Sequence, residues 1–189
     1  MGEKLKTPIS ATRNSESPVR ILGIDPGLNI TGYGVVEIFD RRPRLVEAGV
    51  VRGRSRGPLA ERIHAIHTGV AEVIQALKPD VMALEKLYSH YDRPTTAILM
   101  GHARGAICLA AAQSGLEVAD YAATQIKNLL TGSGRAPKFQ VQQAVQRELN
   151  LPKLPEPPDV ADALAIAMCH YYQTYGPAGK LKIRSGLVE

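Results

Sequence analysis

The run Ile21-Leu-Gly-Ile-Asp-Pro-Gly-Leu-Asn-Ile-Thr-Gly-Tyr-Gly34 decides how this chain folds. An apolar stretch ends in one carboxylate, Asp25, and Pro26-Gly27 then turns the chain into a second stretch rich in β-branched and aromatic residues. Strands are predicted over Val19 to Asp25, Thr31 to Phe39 and Leu45 to Arg52, the last two joined by an Arg- and Pro-rich turn at 40–44. Connections this short favour an antiparallel meander. From Leu59 the apolar residues Ile63, Ile66, Val70, Val73, Ile74 and Leu77 recur at helical spacing and stop before Pro79, which predicts an amphipathic helix. Val81 to Glu85 reads as a short apolar strand, Thr95 to Ala112 as a helix of many small residues, and Leu116 to Tyr121 as a further strand followed by mostly helical sequence. Strands alternating with helices add parallel strands to the meander. The predicted fold is α/β: a mixed five-stranded sheet, three antiparallel strands first, flanked by helices. The 95–112 helix, with Gly101, Ala103, Gly105 and Ala106, is smooth enough to pack against the sheet or against a copy of itself.

Composition bounds the rest. The chain has 189 residues, 44% hydrophobic and 22% charged, which excludes a disordered or fibrous chain and is enough to bury one core. No apolar run reads as long enough to span a membrane, so no membrane partner is expected. The first eighteen residues lack the apolar stretch of a secretory signal, and the two cysteines, Cys108 and Cys169, sit among apolar residues without metal-ligand spacing. A reducing, cytoplasmic location follows as the expectation. Residues 1–18 read as a flexible leader, 19–175 as the folded domain and 176–189 as a flexible tail. The formal charge of +5 suits an anionic partner. Arg41, Arg42, Arg44, Arg52, Arg54 and Arg56 crowd one segment, either as a phosphate-contacting surface or as a solvated hairpin.

Nucleotide-binding loops are absent: the glycine-rich opening contains neither GxGxxG nor GK[ST]. It does place Asp25 at the C-terminal mouth of a strand, and Glu85 ends the apolar run Val81-Met-Ala-Leu84 in the same way. Open α/β sheets bind ligands at that edge. The segment Pro158-Asp-Val-Ala-Asp-Ala-Leu-Ala-Ile-Ala167 is a helix whose Asp159 and Asp162 share one face at i, i+3. A first-turn acid can simply complement the helix dipole, but the helix is apolar nearly all round, so Asp162 is expected to face an interior or a cleft. Four converging carboxylates repel unless a cation neutralises them. An all-oxygen donor set selects Mg²⁺ or Mn²⁺, and two such ions roughly 3.5 to 4 Å apart are the arrangement for phosphodiester hydrolysis. His64 and His67 share a helix face but have no partner in a zinc-ligand pattern and are placed on the surface.

Taken in order, Ile21–Gly34, Ala83-Leu-Glu-Lys-Leu-Tyr88, Gly101-His-Ala-Arg-Gly105 and Asp159–Ala167 resemble the RuvC family of crossover junction (Holliday junction) endodeoxyribonucleases, and the likeness runs from about Ile21 to Tyr171. The resemblance implies a ribonuclease H-like fold, a homodimer, and paired nicks in a four-way DNA junction that leave 5′-phosphate and 3′-hydroxyl ends, in recombination and repair. It implies two Mg²⁺ ions per site, with Mn²⁺ as a substitute, on an acidic tetrad that falls on Asp25, Glu85, Asp159 and Asp162. It further implies that Lys127 and Lys138 engage DNA and assist catalysis, that Tyr88 stacks on a base, and that a RuvA–RuvB branch-migration complex is a partner. The loop Ser89-His-Tyr-Asp-Arg-Pro94 departs from the family pattern and is one residue longer. Two other readings share these residues: a ribonuclease acting on RNA/DNA hybrids, and a junction-binding module that cuts nothing. ATP-hydrolysing relatives of the fold carry a similar glycine turn but generally use two such domains.

Overall fold

The computed structural model describes residues 17–54, 56–87 and 94–176. The expected leader and tail fall almost entirely outside these residues, as do Tyr88 and most of the loop after it. Five strands form one sheet in the order β3-β2-β1-β4-β5: β1 (Val19–Asp25), β2 (Ile30–Phe39), β3 (Arg42–Arg52), β4 (Val81–Glu85) and β5 (Glu117–Tyr121). The first three are antiparallel, and β4 and β5 run parallel to β1, as the strand–helix alternation predicts. The helices are α1 (Leu59–Leu77), α2 (Pro94–Gln113), α3 (Ala123–Thr131), α4 (Lys138–Glu148) and α5 (Pro158–Thr174).

The β2–β3 connection is tighter than the expected turn at 40–44. Only Asp40 and Arg41 turn, with φ of 48° and 59°, and β3 already begins at Arg42. Two positive φ angles in a two-residue loop match the right-handed twist of the flanking strands. Pro43 is admitted because β3 is an edge strand that pairs only with β2.

Strand alternation divides the core in two. Leu22, Ile24, Met82 and Leu84 face α1 and α2, where Ile66, Val70, Ile74 and Ile107 cover them. Burying each such side chain contributes roughly 1.5–3 kcal/mol. Ile21, Val81 and Ala83 face the opposite side, against α3, α4 and α5. α5 is the most enclosed element, with every residue from Ala163 to Tyr171 buried. Its seat on the sheet is made by glycines. A Cβ on Gly23 would collide with the Ala163 carbonyl oxygen and lie 2.7 Å from the Ala167 nitrogen; one on Gly32 would strike the Asp159 backbone; one on Gly34 would lie 2.5 Å from Leu164 Cδ2. The helix backbone therefore rests directly on β1 and β2.

α2 packs on α1 through Ala103, Ala106, Ile107, Ala110 and Ala111 and leaves Ile98 and Leu109 more than half exposed. At twenty residues with mean hydropathy 1.2 it is long and apolar enough, by composition alone, to cross a membrane, contrary to the expectation that no stretch is. Its isoleucines, leucines and alanines supply that hydropathy, and its inner face belongs to the core. Cys169 is buried, and its thiol is pushed up to about 12 by desolvation, while Cys108 is only half-buried; both are free. His64 is exposed and His67 half-buried, the latter bonded through Nε2 to Gln113 Oε1 at 2.8 Å.

Gly23→Ala tests the glycine seat. Overpacking usually costs about 1–3 kcal/mol, and here the obstacle is main chain that cannot rotate away, so a loss at or above the top of that range is expected in the denaturation midpoint. A variant as stable as the parent would show that α5 does not depend on this contact.

Candidate active site

Backbone register brings the carboxylates together before any side chain is considered. Ile24 pairs with Leu84 across the parallel β1–β4 ladder, so Asp25 and Glu85 come next on adjacent strands. Both share parity with Gly23 and Ala83, and so point to the α5 side of the sheet. Asp25 also pairs with Gly32 on β2, and Gly32 is where the Asp159 backbone rests. One turn further along α5 is Asp162. The turn after Asp25 is fixed by Thr31, which is fully buried: its hydroxyl donates to the Gly27 carbonyl at 2.7 Å and accepts from the Gly27 N–H at 3.3 Å.

A cleft of about 210 Å³ opens at this edge, lined by Asp25, Glu85 and Asp162 with Lys127 from α3 and Lys138 from α4. Asp159 is outside the lining but close enough to raise the Asp25 pKa. Desolvation is the main cause of that rise, with Asp162, Glu85 and Asp159 adding repulsion and Lys138 opposing it, and together they lift Asp25 to about 7. Glu85 is also raised, first by burial and then by Asp162, while Lys138 and Lys127 pull it down. Lys138 Nζ donates to Asp162 Oδ2 at 3.1 Å, and that bond is the largest cause of its raised pKa. A lysine in the first turn of a helix runs against the dipole, and the ion pair with Asp162 offsets that cost.

Among the described residues, no three His, Cys, Asp or Glu side chains stand close enough to hold a metal ion. The acids converge on the cleft, but Lys138 draws the Asp162 carboxylate to itself. The donor chemistry nonetheless fits a hard divalent cation: the acids supply oxygen only, and no histidine or thiol lines the cleft. A larger open groove of about 600 Å³ lies between β3 and α1, where Tyr33 Oη donates to Glu47 Oε1 at 2.7 Å; it lacks the carboxylate cluster.

The arginine segment divides. Arg52 pairs with Ile30 at the same sheet edge as Asp25, and Arg56 is exposed nearby. Arg54 is held by Glu61 at 2.5 Å. Arg41, Arg42 and Arg44 lie at the far end of the hairpin, Arg44 about 23 Å and Arg42 about 30 Å from Arg52 along β2 at roughly 3.3 Å per residue, with Arg44 over the Phe39 ring. Sequence reasoning quoted Arg104 only within the Gly101–Gly105 motif and gave it no role. From α2 its Nε donates to the Glu85 backbone carbonyl at 3.2 Å, and its Nη2 pairs with Asp120 on β5. Its signal was a lone arginine in an otherwise small and apolar helix.

A five-stranded sheet in this order, with acids at the ends of β1 and β4 and on the helix crossing them, defines a ribonuclease H-like domain. More narrowly, the chain belongs to the crossover junction endodeoxyribonuclease RuvC family, whose family model matches residues 21–170. A crossover junction endodeoxyribonuclease RuvC of Rhodopirellula baltica is 56% identical over 157 residues, covering 83% of this chain and 88% of that protein. The solved structure of Thermus thermophilus RuvC superposes with a TM-score of 0.76 at 36% identity, covering 84% of this chain and 97% of that one. T. thermophilus RuvC in complex with Holliday junction substrate gives 0.74 at 34% identity, covering 84% and 96%.

The raised Asp25 pKa has a stability consequence. Its folded value of about 7 lies well above the ordinary aspartate value, so ionising it opposes folding; that penalty is absent below pH 4, grows through pH 4–7 and is complete above 7. In chelator, Asp25→Asn is expected to be more stable than the parent at pH 8 by on the order of 2 kcal/mol, or several degrees in melting temperature. The gap should close below pH 4. An equal gap at both pH values would refute electrostatic strain as its source.

Proposed function

We propose that this chain is a structure-selective endonuclease that resolves four-way (Holliday) DNA junctions by paired symmetric nicks, in recombination and DNA repair. The observation that carries the reading is the convergence of Asp25, Glu85 and Asp162 with two lysines in one cleft, in a member of a family named for this activity. Asp25, Glu85, Asp159 and Asp162 would hold two divalent ions, Mg²⁺ with Mn²⁺ as a substitute. When bound, such ions supply the charge stabilisation and water activation that in-line phosphodiester displacement needs. The protein's own share is to gather the acids, with Lys138 offsetting part of their charge, and to place cations for the phosphate. Lys138 is 73% exposed at its side chain and can turn from Asp162 to a phosphate oxygen, and Lys127 faces the same cleft. Water attacks phosphorus, the bond to the 3′ oxygen breaks and that oxygen takes up a proton, leaving 5′-phosphate and 3′-hydroxyl ends.

Tyr88 would stack on a base beside the crossover, an interaction of roughly 1–3 kcal/mol. Arg52 and Arg56, at the cleft's edge of the sheet, would contact the backbone of a DNA arm, with Arg54 available once it leaves Glu61. We further propose a homodimer formed through α2. Ile98, Gly101, Gly105 and Leu109 share one exposed face at helical spacing, and a Cβ on either glycine would meet nothing within 4 Å. A two-fold axis there relates two clefts, which accounts for paired incision. The protein would act in the cytoplasm, alongside the RuvA–RuvB branch-migration complex that the family resemblance implies.

The test is a mobile synthetic junction, with an RNA/DNA hybrid duplex in parallel. Mg²⁺- or Mn²⁺-dependent paired nicks in the junction are expected, with Asp25→Asn abolishing cleavage and retaining binding. Preferential cutting of the hybrid would favour the ribonuclease reading, and binding without nicks in either metal would favour a non-cleaving module. For the dimer, light scattering should give about twice the 20.4 kDa chain mass, falling to one chain in Gly105→Arg. A monomeric parent protein would exclude the α2 interface.

A further inference from the structure

The carboxylate of Glu85 is only as well placed as the strand end that carries it, and that end lacks part of its ladder. The Lys86 N–H donates to the Tyr121 carbonyl at 2.8 Å, on the β5 side. Successive residues in a strand turn their polar groups to opposite sides, so the Glu85 carbonyl faces β1. The residue of β1's chain next in line there is Pro26, which has no N–H to give. The donor comes instead from α2: Arg104 Nε, at 3.2 Å from that carbonyl. The same guanidinium pairs with Asp120, which precedes Tyr121 on β5, and its side chain is 24% exposed. One fork of donors thus spans the β4 and β5 ends from the face of the sheet opposite the cleft.

We infer that Arg104 is a positioning residue for the nuclease reaction: its Nε replaces the hydrogen bond that Pro26 cannot make, and so fixes the backbone from which Glu85 reaches the cleft. The inference rests on the reading of Glu85 as a metal-holding acid. A plain ion pair with Asp120 is a different proposition, because it needs only a positive charge, whereas donation to the Glu85 carbonyl together with Asp120 needs the planar fork that lysine lacks.

Arg104→Lys separates the two. It keeps the charge beside Asp120 and loses the second donor. The expected result is an unchanged melting temperature and dimer mass, with the Lys86 amide exchanging faster in chelator while the amides at the centre of β1 stay protected. Mn²⁺ binding, titrated by electron paramagnetic resonance, should weaken roughly tenfold, as loss of a supporting hydrogen bond does at other metal centres. Junction cleavage should lose kcat with KM unchanged. Wild-type exchange at Lys86 together with wild-type Mn²⁺ affinity would overturn the inference, as would losses that merely follow a fall in global stability. Should Arg104→Lys fail to fold, Asp120→Asn releases the guanidinium from its other end and the same quantities are read, with the same outcomes counting for or against. Glu85→Gln serves as the control. If it leaves cleavage and Mn²⁺ binding intact, the reading of Glu85 falls and takes the inference with it; if it abolishes both while Arg104→Lys changes neither, only the inference falls.

Discussion

Everything at the cleft depends on how closely one helix can approach one sheet. α5 lies on β1 and β2 at main-chain contact, which only hydrogen at Gly23 and Gly32 permits, while Gly34 makes room for the Leu164 side chain. A methyl group at Gly23 or Gly32 would lift the helix and carry Asp159 and Asp162 away from Asp25. The contact is also why α5 is built of Ala161, Ala163, Ala165 and Ala167, all of them buried. Small residues on both partners replace interdigitating side chains with backbone proximity, and that proximity is what sets acids from three separate elements around one cleft.

The arrangement opposes its own stability. Asp25 is half-buried beside three other acids, which together with desolvation push its pKa up to about 7, while Lys138 compensates from a position its own helix disfavours. Local rules are broken at functional sites and offset by the surrounding structure. Here the offset comes from the ladder on both sides of β1, from the Thr31 peg beneath the turn and from the guanidinium behind β4.

Much of this was legible in the residues. The period-2 alternation of Ile21, Gly23 and Asp25, and of Val81, Ala83 and Glu85, already places both acids on one face, and the first-turn pair in α5 follows from helical spacing. The antiparallel opening and the two parallel additions follow from connection lengths. What the sequence did not reveal was register and partner. Nothing in the letters pairs Ile24 with Leu84, brings Gly32 beneath Asp159, or links Arg104 to a carbonyl nineteen residues earlier. Those depend on three-dimensional packing, as does the splitting of the arginine segment, which looks continuous in sequence yet occupies both ends of a long strand. Tyr88 rests on the family resemblance alone.

A survey of genomes for bilayer-crossing segments by hydropathy would score α2 as a candidate. The mistake would have a physical origin, since a helix surface of methyls and bare glycine hydrogens offers acyl chains and a second protein helix the same thing: a flat, unhydrated strip with no backbone group left to satisfy. What ties the segment to this domain lies on the flank of that strip, where an arginine finds both of its partners on the ends of β4 and β5.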